Sequence, residues 1–381
     1  MAKKIYIGVA DKARKVKKMY FGVGDKARKV KKGYIGVGGV ARLFFTSGLA
    51  YYGTAPSDTV SRRYNQAVNA GTSYLIVVGG GSSSGVNTNV GQAYNPSLTT
   101  TLVSDLSVTM GSRFGVASVG NYALITSSSA STKVDAYDTS LTRTTAPTLS
   151  AVSDPAGVTI GNYALFAGGL SSGFDARKYV RAYDTSLTQT KLTDLTTARY
   201  GAMTATVGNY AVIAGGRGYV DDSDSSYSTD VSTVETYNKS LTKGSATKLG
   251  YSYSDDSYGA KSGVTMKNYA LFAGMGSNSN TTHFRTEAYN ASLTKVAASD
   301  LTSYTVNGLR GVYIGGMAVY TSFDVKNVVN TFDDSLTLEA PITLQVGRED
   351  HAAGVIGNYM LLVGGSTDEY TYTKGAEVYT A

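Results

Sequence analysis

The chain contains no cysteine and no tryptophan, and it has only two histidines and five prolines in 381 residues. Without cysteine there is neither a disulfide framework nor a thiolate metal site. His283 and His351 stand far apart in the sequence, so they do not indicate a zinc or iron site. No apolar run of about 18 residues is present, and the N-terminus lacks a signal-peptide core. We therefore expect no membrane insertion, no secretion signal, no metal and no cofactor.

Seven copies of a short signature divide most of the chain into units of 41 to 59 residues. Degenerate copies lie at Ser73-Tyr74 and Gly316-Met317, and five copies read Asn-Tyr followed by an apolar run, beginning at Asn121, Asn162, Asn209, Asn268 and Asn358. An aromatic residue and a Ser-Leu pair follow the first six copies: Tyr94/Leu98, Tyr137/Leu141, Tyr183/Leu187, Tyr237/Leu241, Tyr289/Leu293 and Phe332/Leu336. Such a period in a sequence rich in β-formers predicts an all-β, seven-bladed β-propeller.

The fourth unit shows how one blade is encoded. Residues 202–207 alternate as an inner strand does, Gly208-Asn209 supplies a two-residue turn, and 210–214 form the second strand. Residues 234–237 form the third strand, and Leu241-Thr242-Lys243 opens the fourth. Four antiparallel strands make one propeller blade.

The two ends of the propeller sequence complement each other. The seventh unit stops at its third strand, near Tyr379, whereas residues 49–54 match the pattern of an outer strand. We predict that 49–54 closes the ring as the outer strand of the last blade, which removes an open sheet edge.

Positive charge is concentrated at the N-terminus. Residues 1–42 hold 13 Lys/Arg and two Asp, a net charge of +11, whereas the remainder carries a net charge of −4. This segment repeats every 14 residues: Lys-Lys-Ile-Tyr-Ile-Gly-Val from Lys3 recurs in related form from Lys17 and from Lys31. The alternation of apolar residues favours β-strands separated by turns. We therefore predict a β-repeat attachment segment over 1–45 and the propeller over 46–381.

A β-ladder as thin as this repeat cannot bury a core alone, so it needs a partner copy or a docking surface. The regular spacing favours an attachment or assembly module, and a homo-oligomer is one form of it. Basic strands with interleaved tyrosines also suit nucleic acid, but a disordered basic arm would not repeat so regularly, so we do not expect nucleic acid as the partner. The candidate attachment residues are Tyr6, Tyr20, Tyr34, Arg14, Arg28 and Arg42.

The blades resemble kelch repeats. Gly-Gly follows the second strand, an aromatic residue lies on the third, and an arginine precedes the first at Arg63, Arg113, Arg199 and Arg348. The N-terminal repeats, together with blades such as 162–169 (Asn-Tyr-Ala-Leu-Phe-Ala-Gly-Gly) and 136–142 (Ala-Tyr-Asp-Thr-Ser-Leu-Thr), resemble proteins carried by phages and prophages of clostridia-like Firmicutes. That resemblance implies a virion component displayed on the head or the tail.

Enzymatic propellers require residues that this chain lacks. The kelch-type copper radical oxidase needs a cysteine-linked tyrosine, and sialidases carry Ser-x-Asp-x-Gly-x-Thr-Trp boxes. A nucleophilic triad needs a histidine, but His351 begins an inner strand, where we expect a structural role. Clustered carboxylates leave glycoside hydrolysis or calcium binding open, although solvated loops are the simpler interpretation: Asp221, Asp222, Asp224, Asp230, Asp255 and Asp256. We expect no enzymatic activity.

The variable loops are where a propeller places recognition. The longest insertion, 218–227, lies in blade four, and 251–258 follows it. Both mix Tyr with Ser, Gly and Asp, which combine rigid amphipathic anchors with adaptable hydrogen bonding. The candidate ligand-binding residues are Tyr219, Asp221, Asp222, Tyr227, Tyr251, Tyr253, Asp255, Tyr258, Phe174, His283, Arg285, Phe323, Tyr370 and Tyr372.

From these features we expect a phage virion appendage that is assembled in the host cytoplasm and released by lysis. Residues 1–45 would bind other virion structural proteins, and the propeller loops would bind a host cell-surface glycan or protein. The alternative is a capsid or tail decoration protein whose propeller is a passive spacer. A nucleic-acid-associated protein is the third hypothesis.

Overall fold

The structure is a computed structural model. It describes the backbone of residues 6–9, 12–15, 19–23, 26–30, 32–37 and 40–46, and then residues 48–82, 86–112, 114–127, 132–150, 153–173, 175–221, 224–253, 261–278, 281–302, 307–323, 327–368 and 371–381. Side chains are described from residue 48 onward, except at 219–229, 252–253, 261, 275–278, 281–284, 307–308 and 322–323.

The N-terminal repeat forms three antiparallel β-hairpins, one for each 14-residue unit. The six strands are β1 (Tyr6–Val9), β2 (Lys12–Lys15), β3 (Met19–Val23), β4 (Lys26–Val30), β5 (Lys32–Val37) and β6 (Val40–Thr46). The predicted strand of each unit is therefore only the first half of its hairpin, because the Lys/Ala/Arg segment pairs back onto it.

The rest of the chain forms seven four-stranded antiparallel sheets, which confirms the predicted seven-bladed β-propeller. Blades one to three are β8 (Gln66–Ala70), β9 (Tyr74–Val78), β10 (Gly91–Tyr94) and β11 (Thr100–Val103); β12 (Val116–Val119), β13 (Tyr122–Thr126), β14 (Val134–Tyr137) and β15 (Arg143–Ala146); and β16 (Ala156–Ile160), β17 (Tyr163–Ala167), β18 (Val180–Asp184) and β19 (Gln189–Lys191).

Blades four and five carry additional strands beyond the basic four. Blade four contains β20 (Met203–Val207), β21 (Tyr210–Ala214), β24 (Val234–Asn238) and β25 (Lys243–Ala246), with a separate hairpin of β22 (Arg217–Asp221) and β23 (Asp224–Asp230). Blade five contains β27 (Lys261–Thr265), β28 (Tyr269–Asn278), β29 (Thr281–Asn290) and β30 (Lys295–Ala297), with β26 (Ser252–Tyr253) paired to β28.

Blade six contains β31 (Asn307–Ile314), β32 (Met317–Phe323), β33 (Val328–Asp333) and β34 (Ile342–Thr343). Blade seven contains β35 (Ala352–Ile356), β36 (Tyr359–Val363), β37 (Ala376–Thr380) and, from the start of the propeller sequence, β7 (Ala50–Ala55). Strand β7 pairs with β37 from Ala50↔Thr380 to Ala55↔Ala376, which is the predicted closure, displaced by one residue. Leu49 packs with Tyr379 in the core between blades six and seven.

The turn before the outer strand differs from the predicted one. Leu241 does not open the fourth strand; it lies in the turn, and Lys243 begins β25. All six Ser-Leu leucines adopt φ between 59° and 63°. The Asx residue three positions earlier supports this turn, because its Oδ1 accepts amide hydrogen bonds from the residues two and four positions later, as at Asn238. The leucine side chains contact the cores between blades, and that contact offsets the backbone strain.

The third-strand tyrosines lock neighbouring blades together. Their rings are fully buried, and five hydroxyls donate to a backbone carbonyl of the preceding outer-strand region at 2.5–3.2 Å: Tyr94 to Pro56, Tyr137 to Ser104, Tyr183 to Pro147, Tyr237 to Thr193 and Tyr289 to Thr247. A buried hydroxyl that donates a hydrogen bond to a carbonyl can lie in a core without water. Each repeat therefore depends on its neighbour for a hydrogen bond as well as for apolar burial.

Three buried arginines each contact a Gly-Gly pair. Arg199 forms an ion pair with Glu235 at 2.7 Å and donates to the Gly215 carbonyl at 3.0 Å. Arg348 forms the equivalent contacts with Glu377 and Gly364. In blade one this residue is Arg62, which pairs with Asp58 and Gly79, and not Arg63 as the sequence pattern suggested. Arg62 lies four residues before its inner strand, as Arg199 and Arg348 do. Arg113 lies outside the described residues.

Candidate functional site

The strand directions place two sets of connections on one end of the propeller. In every blade the inner strand begins where the second strand ends, as shown by the pairings Gln66↔Val78 and Met203↔Ala214. The segments that lead into the inner strands and the connections between second and third strands therefore emerge together, and we call this end the loop face. The hairpin β22–β23 and the extension of β28–β29 both belong to it.

The predicted loop of blade four is a β-hairpin rather than an irregular loop. Tyr219 and Asp221 lie on β22, Tyr227 lies on β23, and the backbone pairs Tyr219 with Ser228 and Asp221 with Asp224. Strand pairing of the insertion raises these residues from the loop face on a defined two-stranded ribbon.

The predicted residues of blade five share one sheet extension. Tyr253 on β26 pairs with Gly276, and Gly276 pairs with His283 on β29, so Tyr253 and His283 occupy one row across three strands. Next to them, the guanidinium carbon of Arg285 lies 4.6 Å from the centre of the Tyr251 ring. Arg285 Nη1 also donates to Asp300 at 2.6 Å. The structure thus brings four predicted residues together.

Tyr372 belongs to a different group, between blades seven and one. The guanidinium of Arg63 lies between two rings, 4.7 Å from the centre of Tyr64 and 5.0 Å from that of Tyr372. Arg63 Nη1 is 4.0 Å from Glu349. Stacking of this kind fixes both rings at the edge of the loop face.

The remaining predicted ligand-binding residues belong to neither of these two groups. Phe323 ends β32, and five lie outside the described residues: Phe174, Asp222, Asp255, Tyr258 and Tyr370. The predicted attachment residues all lie on the N-terminal hairpins, in equivalent positions: Arg14 pairs with Ile7, Arg28 with Phe21 and Arg42 with Ile35, whereas Tyr6, Tyr20 and Tyr34 pair with Lys15, Lys29 and Leu43.

An axial cavity of about 460 Å³ opens on the loop face, and all seven blades contribute to its lining. Its wall at the inner strands is made of small residues such as Gly157, Gly311 and Ala353. A Cβ on Gly157 would lie 2.2 Å from the Val116 carbonyl oxygen of the next inner strand, so only glycine permits this approach. The size is that of pockets that hold small molecules, about 300–1,000 Å³.

Strained backbone surrounds the mouth of this cavity. Tyr64, Asp154 and Asp350 have φ of 61°, 55° and 52°, and Gly201 occupies the same position in blade four with φ of 55°. The Tyr64 amide donates to the Asp350 carbonyl at 2.8 Å, which links blades one and seven. A bulky tyrosine in this conformation is an outlier that persists only where its surroundings hold it.

Sequence reasoning missed these residues, although a signal was present. In blades one, four and seven the positive-φ residue lies two positions after the buried arginine, as Gly201 does after Arg199. Glycine and aspartate are residue types that tolerate positive φ, so their recurrence at one spacing marks the turn.

Polar side chains of several blades converge on the cavity. Tyr64, Asp154, Arg217 and Arg310 line it, from blades one, three, four and six. Arg310 Nε donates to the His351 carbonyl at 3.1 Å, which holds its side chain against blade seven. Burial, with a contribution from the Asp350 charge, raises the pKa of Tyr64 to about 12, so its hydroxyl remains a donor at neutral pH. The cavity offers both donors and acceptors to a polar ligand.

His351 is fully buried and lies just before β35. Its Nε2 is 2.8 Å from Thr321 Oγ1, and its Nδ1 is 3.2 Å from the Arg348 carbonyl oxygen. These contacts agree with the structural role expected from the sequence. Among the described residues no cluster of three or more His, Asp or Glu is arranged to hold a metal ion. Nor does the described part of the chain contain a helix with the length and apolarity needed to cross a bilayer.

Comparison of the sequence with protein-family models and with curated proteins gives no match.

Proposed function

We propose that the protein is an appendage of a phage particle that attaches through residues 1–45 and binds a host-surface glycan with its loop face. The observation that carries the proposal is the division of the chain into three equivalent basic hairpins and a closed propeller. Both insertions, β22–β23 and the β28–β29 extension, rise from the same face of that propeller. Such a chain has one region suited to assembly and another suited to recognition.

The attachment role is supported by the register of the hairpins. In each unit an arginine pairs with the central apolar residue of the first strand, and a glycine pairs with an alanine beside it. Repetition of this arrangement at a 14-residue interval suits contact with a repeating partner, such as a particle lattice or a second copy of the same segment.

The recognition role is supported by the chemistry of the loop face. Cation–π contacts hold its tyrosine rings in place. Arg285 contacts Tyr251, and Arg63 contacts both Tyr64 and Tyr372. Rigid tyrosines next to carboxylates and guanidiniums fit the apolar faces and hydroxyls of sugars.

We further propose that the blades are divergent kelch repeats. The affiliation is supported by the contact between a buried arginine and the first glycine of Gly-Gly in blades one, four and seven. This contact joins two features of the repeat pattern, the arginine before the first strand and the Gly-Gly pair after the second.

The location is tested by immunogold electron microscopy on particles released from the source organism, with antibody against the propeller. We expect label on tail tips or fibres. Label spread over the head would instead favour the decoration role, with the propeller as a spacer. Absence of label from every particle would overturn the virion proposal.

Recognition is tested separately by adsorption of the full-length protein to host cells. The combined variant Tyr219→Ala, Tyr227→Ala and Tyr251→Ala removes loop-face tyrosines, and we expect it to lose adsorption while particle assembly is unchanged. Tyr52→Ala is the matched control, because Tyr52 is 41% exposed but lies on the outer strand β7. Equal adsorption of both variants would contradict recognition by this face.

A further inference from the structure

We propose that the axial cavity is a saccharide-binding site that takes the end of a glycan chain. The terminal sugar enters along the propeller axis, and the rest of the chain leaves across the loop face. This inference rests on the proposed function, which it deepens by assigning the site and the mode of binding.

The inner strands enclose the cavity on its sides. At least one residue of every inner strand lines the cavity, including Ala67, Val116, Gly157, Thr204, Gly263, Gly311 and Ala353. Neighbouring inner strands are also bonded to each other, since Thr204 Oγ1 donates to the Gly157 carbonyl at 2.7 Å and Thr206 Oγ1 donates to that of Thr159 at 2.7 Å. A polymer cannot lie across a cavity that strands surround on every side, so only its end can enter.

The cavity also has the required space. Glycine and alanine are prominent in its inner-strand wall, and a Cβ on Gly157 or Gly263 would collide with a carbonyl oxygen of the neighbouring inner strand. A volume of about 460 Å³ accommodates a ligand of the size of one or two sugar residues.

The groups at the mouth match a polyhydroxylated ring. Tyr64 offers an aromatic face, and the hydrogen bond from its amide to the Asp350 carbonyl and its stacking on Arg63 hold that face in one orientation. Asp154 brings a carboxylate, an acceptor for sugar hydroxyls, to the cavity, and Arg217, which lies 3.7 Å from Asp230, brings a guanidinium from a different blade. Convergence of a few polar groups on a concave site is the usual form of a specific small-molecule site.

The strain at Tyr64 points to ligand binding rather than to folding alone. Gly201 performs the same turn in blade four without a side chain, so the fold itself does not require an aromatic residue there. A tyrosine is strained in this conformation, which glycine adopts readily. Stacking of the Tyr64 ring against a sugar accounts for a tyrosine at this strained position.

The site is tested with purified full-length protein on an array of bacterial surface oligosaccharides immobilised through their reducing ends, followed by calorimetry on the saccharides that bind. Asp154→Asn keeps the size of the side chain and its tolerance of positive φ but removes the charge. We expect at least tenfold weaker binding. Asp334→Asn, in the connection between β33 and β34 at the opposite end of the propeller, is the control and should bind as the unmodified protein does.

The end-on mode has its own measurement. For a saccharide that binds, we expect one protein molecule per chain at every chain length. A stoichiometry that rises with chain length would show binding along the polymer and overturn the end-on mode. Unchanged affinity in Asp154→Asn, or no binding to any saccharide of the array, would overturn the cavity site.

The two proposals fail separately. Saccharide binding without immunogold label would preserve the cavity site and remove the virion assignment. Label on particles without saccharide binding would preserve the appendage and remove the cavity site.

Discussion

The leucine of each Ser-Leu pair combines an unfavourable backbone conformation with a favourable side-chain contact. Its φ of about 60° is a conformation that side chains with a Cβ disfavour, and its side chain contacts the core between two blades. Asp184 stabilises the turn at Leu187, because its Oδ1 accepts the amides of Ser186 and Thr188 at 2.9 and 2.8 Å. Burial of the side chain and the Asx hydrogen bonds together compensate for placing a leucine in this disfavoured backbone conformation.

We expect Leu187→Ala to be less stable than Leu187→Gly, by about 1 kcal/mol. Both variants lose the contact with the blade core, but only glycine relieves the strained φ. The measurement is the free energy of urea unfolding, monitored by circular dichroism. Leu192→Ala and Leu192→Gly, at a buried position without positive φ, give the reference pair and should show glycine as the less stable. The same order at both positions would contradict the strain argument.

His351 provides a pH-dependent term in stability. Burial, followed by the positive charges of Arg310 and Arg348, lowers the pKa of His351 well below its usual value of 6.5. Folding therefore keeps this imidazole neutral, whereas the unfolded chain binds a proton as the pH falls through about 6.5. The stability that the neutral ring contributes is fully present above pH 6.5 and is lost progressively below it.

We expect the unmodified protein to lose about 1 kcal/mol more stability than His351→Gln between pH 7.5 and 5.5, because glutamine does not titrate. Urea midpoints at the two pH values measure the difference. Histidine at position 283 is shared by both proteins, so its titration cancels in the comparison. Parallel loss of stability in the two proteins would show that His351 is protonated without penalty.

At the scale of elements, the inner strands are joined by side chains rather than by a continuous ladder. Thr159 Oγ1 donates to the Ser118 carbonyl at 2.6 Å and accepts from the Ser118 amide at 3.2 Å. Ser118 Oγ donates in turn to Asn69, and Asn69 Nδ2 donates to Val355. Short polar residues on inner strands therefore connect blades that share no backbone hydrogen bonds in these elements.

We expect Thr159→Val to destabilise the propeller by about 1 kcal/mol, since valine keeps the shape but removes both hydrogen bonds to the neighbouring strand. Thr190→Val, on the outer strand β19, is the matched control and should change stability by less than about 0.5 kcal/mol. Thermal and urea unfolding of both variants give the comparison. Equal effects at the two positions would mean that the inter-blade bonds add no stability.

At the scale of the whole molecule, ring closure depends on residues that are far apart in sequence. Six residues of β7 complete a blade whose other three strands lie about 300 residues later. Tyr51 stacks edge-on against Tyr379 with ring centres 5.6 Å apart, and Leu49 enters the adjoining core. Without β7, the backbone groups of Ala376–Thr380 would form an open sheet edge.

We expect a chain that begins at residue 46 to unfold at nearly the same temperature as the full chain, because the described closing contacts start at Leu49. A chain that begins at Pro56 keeps the carbonyl that accepts from Tyr94 but loses β7, and we expect it to melt at a lower temperature and to aggregate. Calorimetry and light scattering measure the two effects. Similar melting of both truncated chains would show that the ring does not need its outer strand.

The sequence by itself determined the number of blades, the four-strand order and the closing strand. Each of these follows from short patterns, such as Asn-Tyr and Ser-Leu, that recur in most units and act over a few residues. Binary alternation and turn residues are local properties, so they can be read without knowing which distant residues are neighbours. The 14-residue units were predicted as strands for the same reason.

Only the tertiary structure decided which residues share the loop face and which arginine is buried. Arg62 and Arg63 are adjacent in sequence, but the first enters the core against Asp58 and the second stacks between Tyr64 and Tyr372. The blade-four insertion pairs with itself as a hairpin, and the cavity mouth gathers residues from several blades. Such proximity arises from closure of the ring around one axis, which no local pattern encodes.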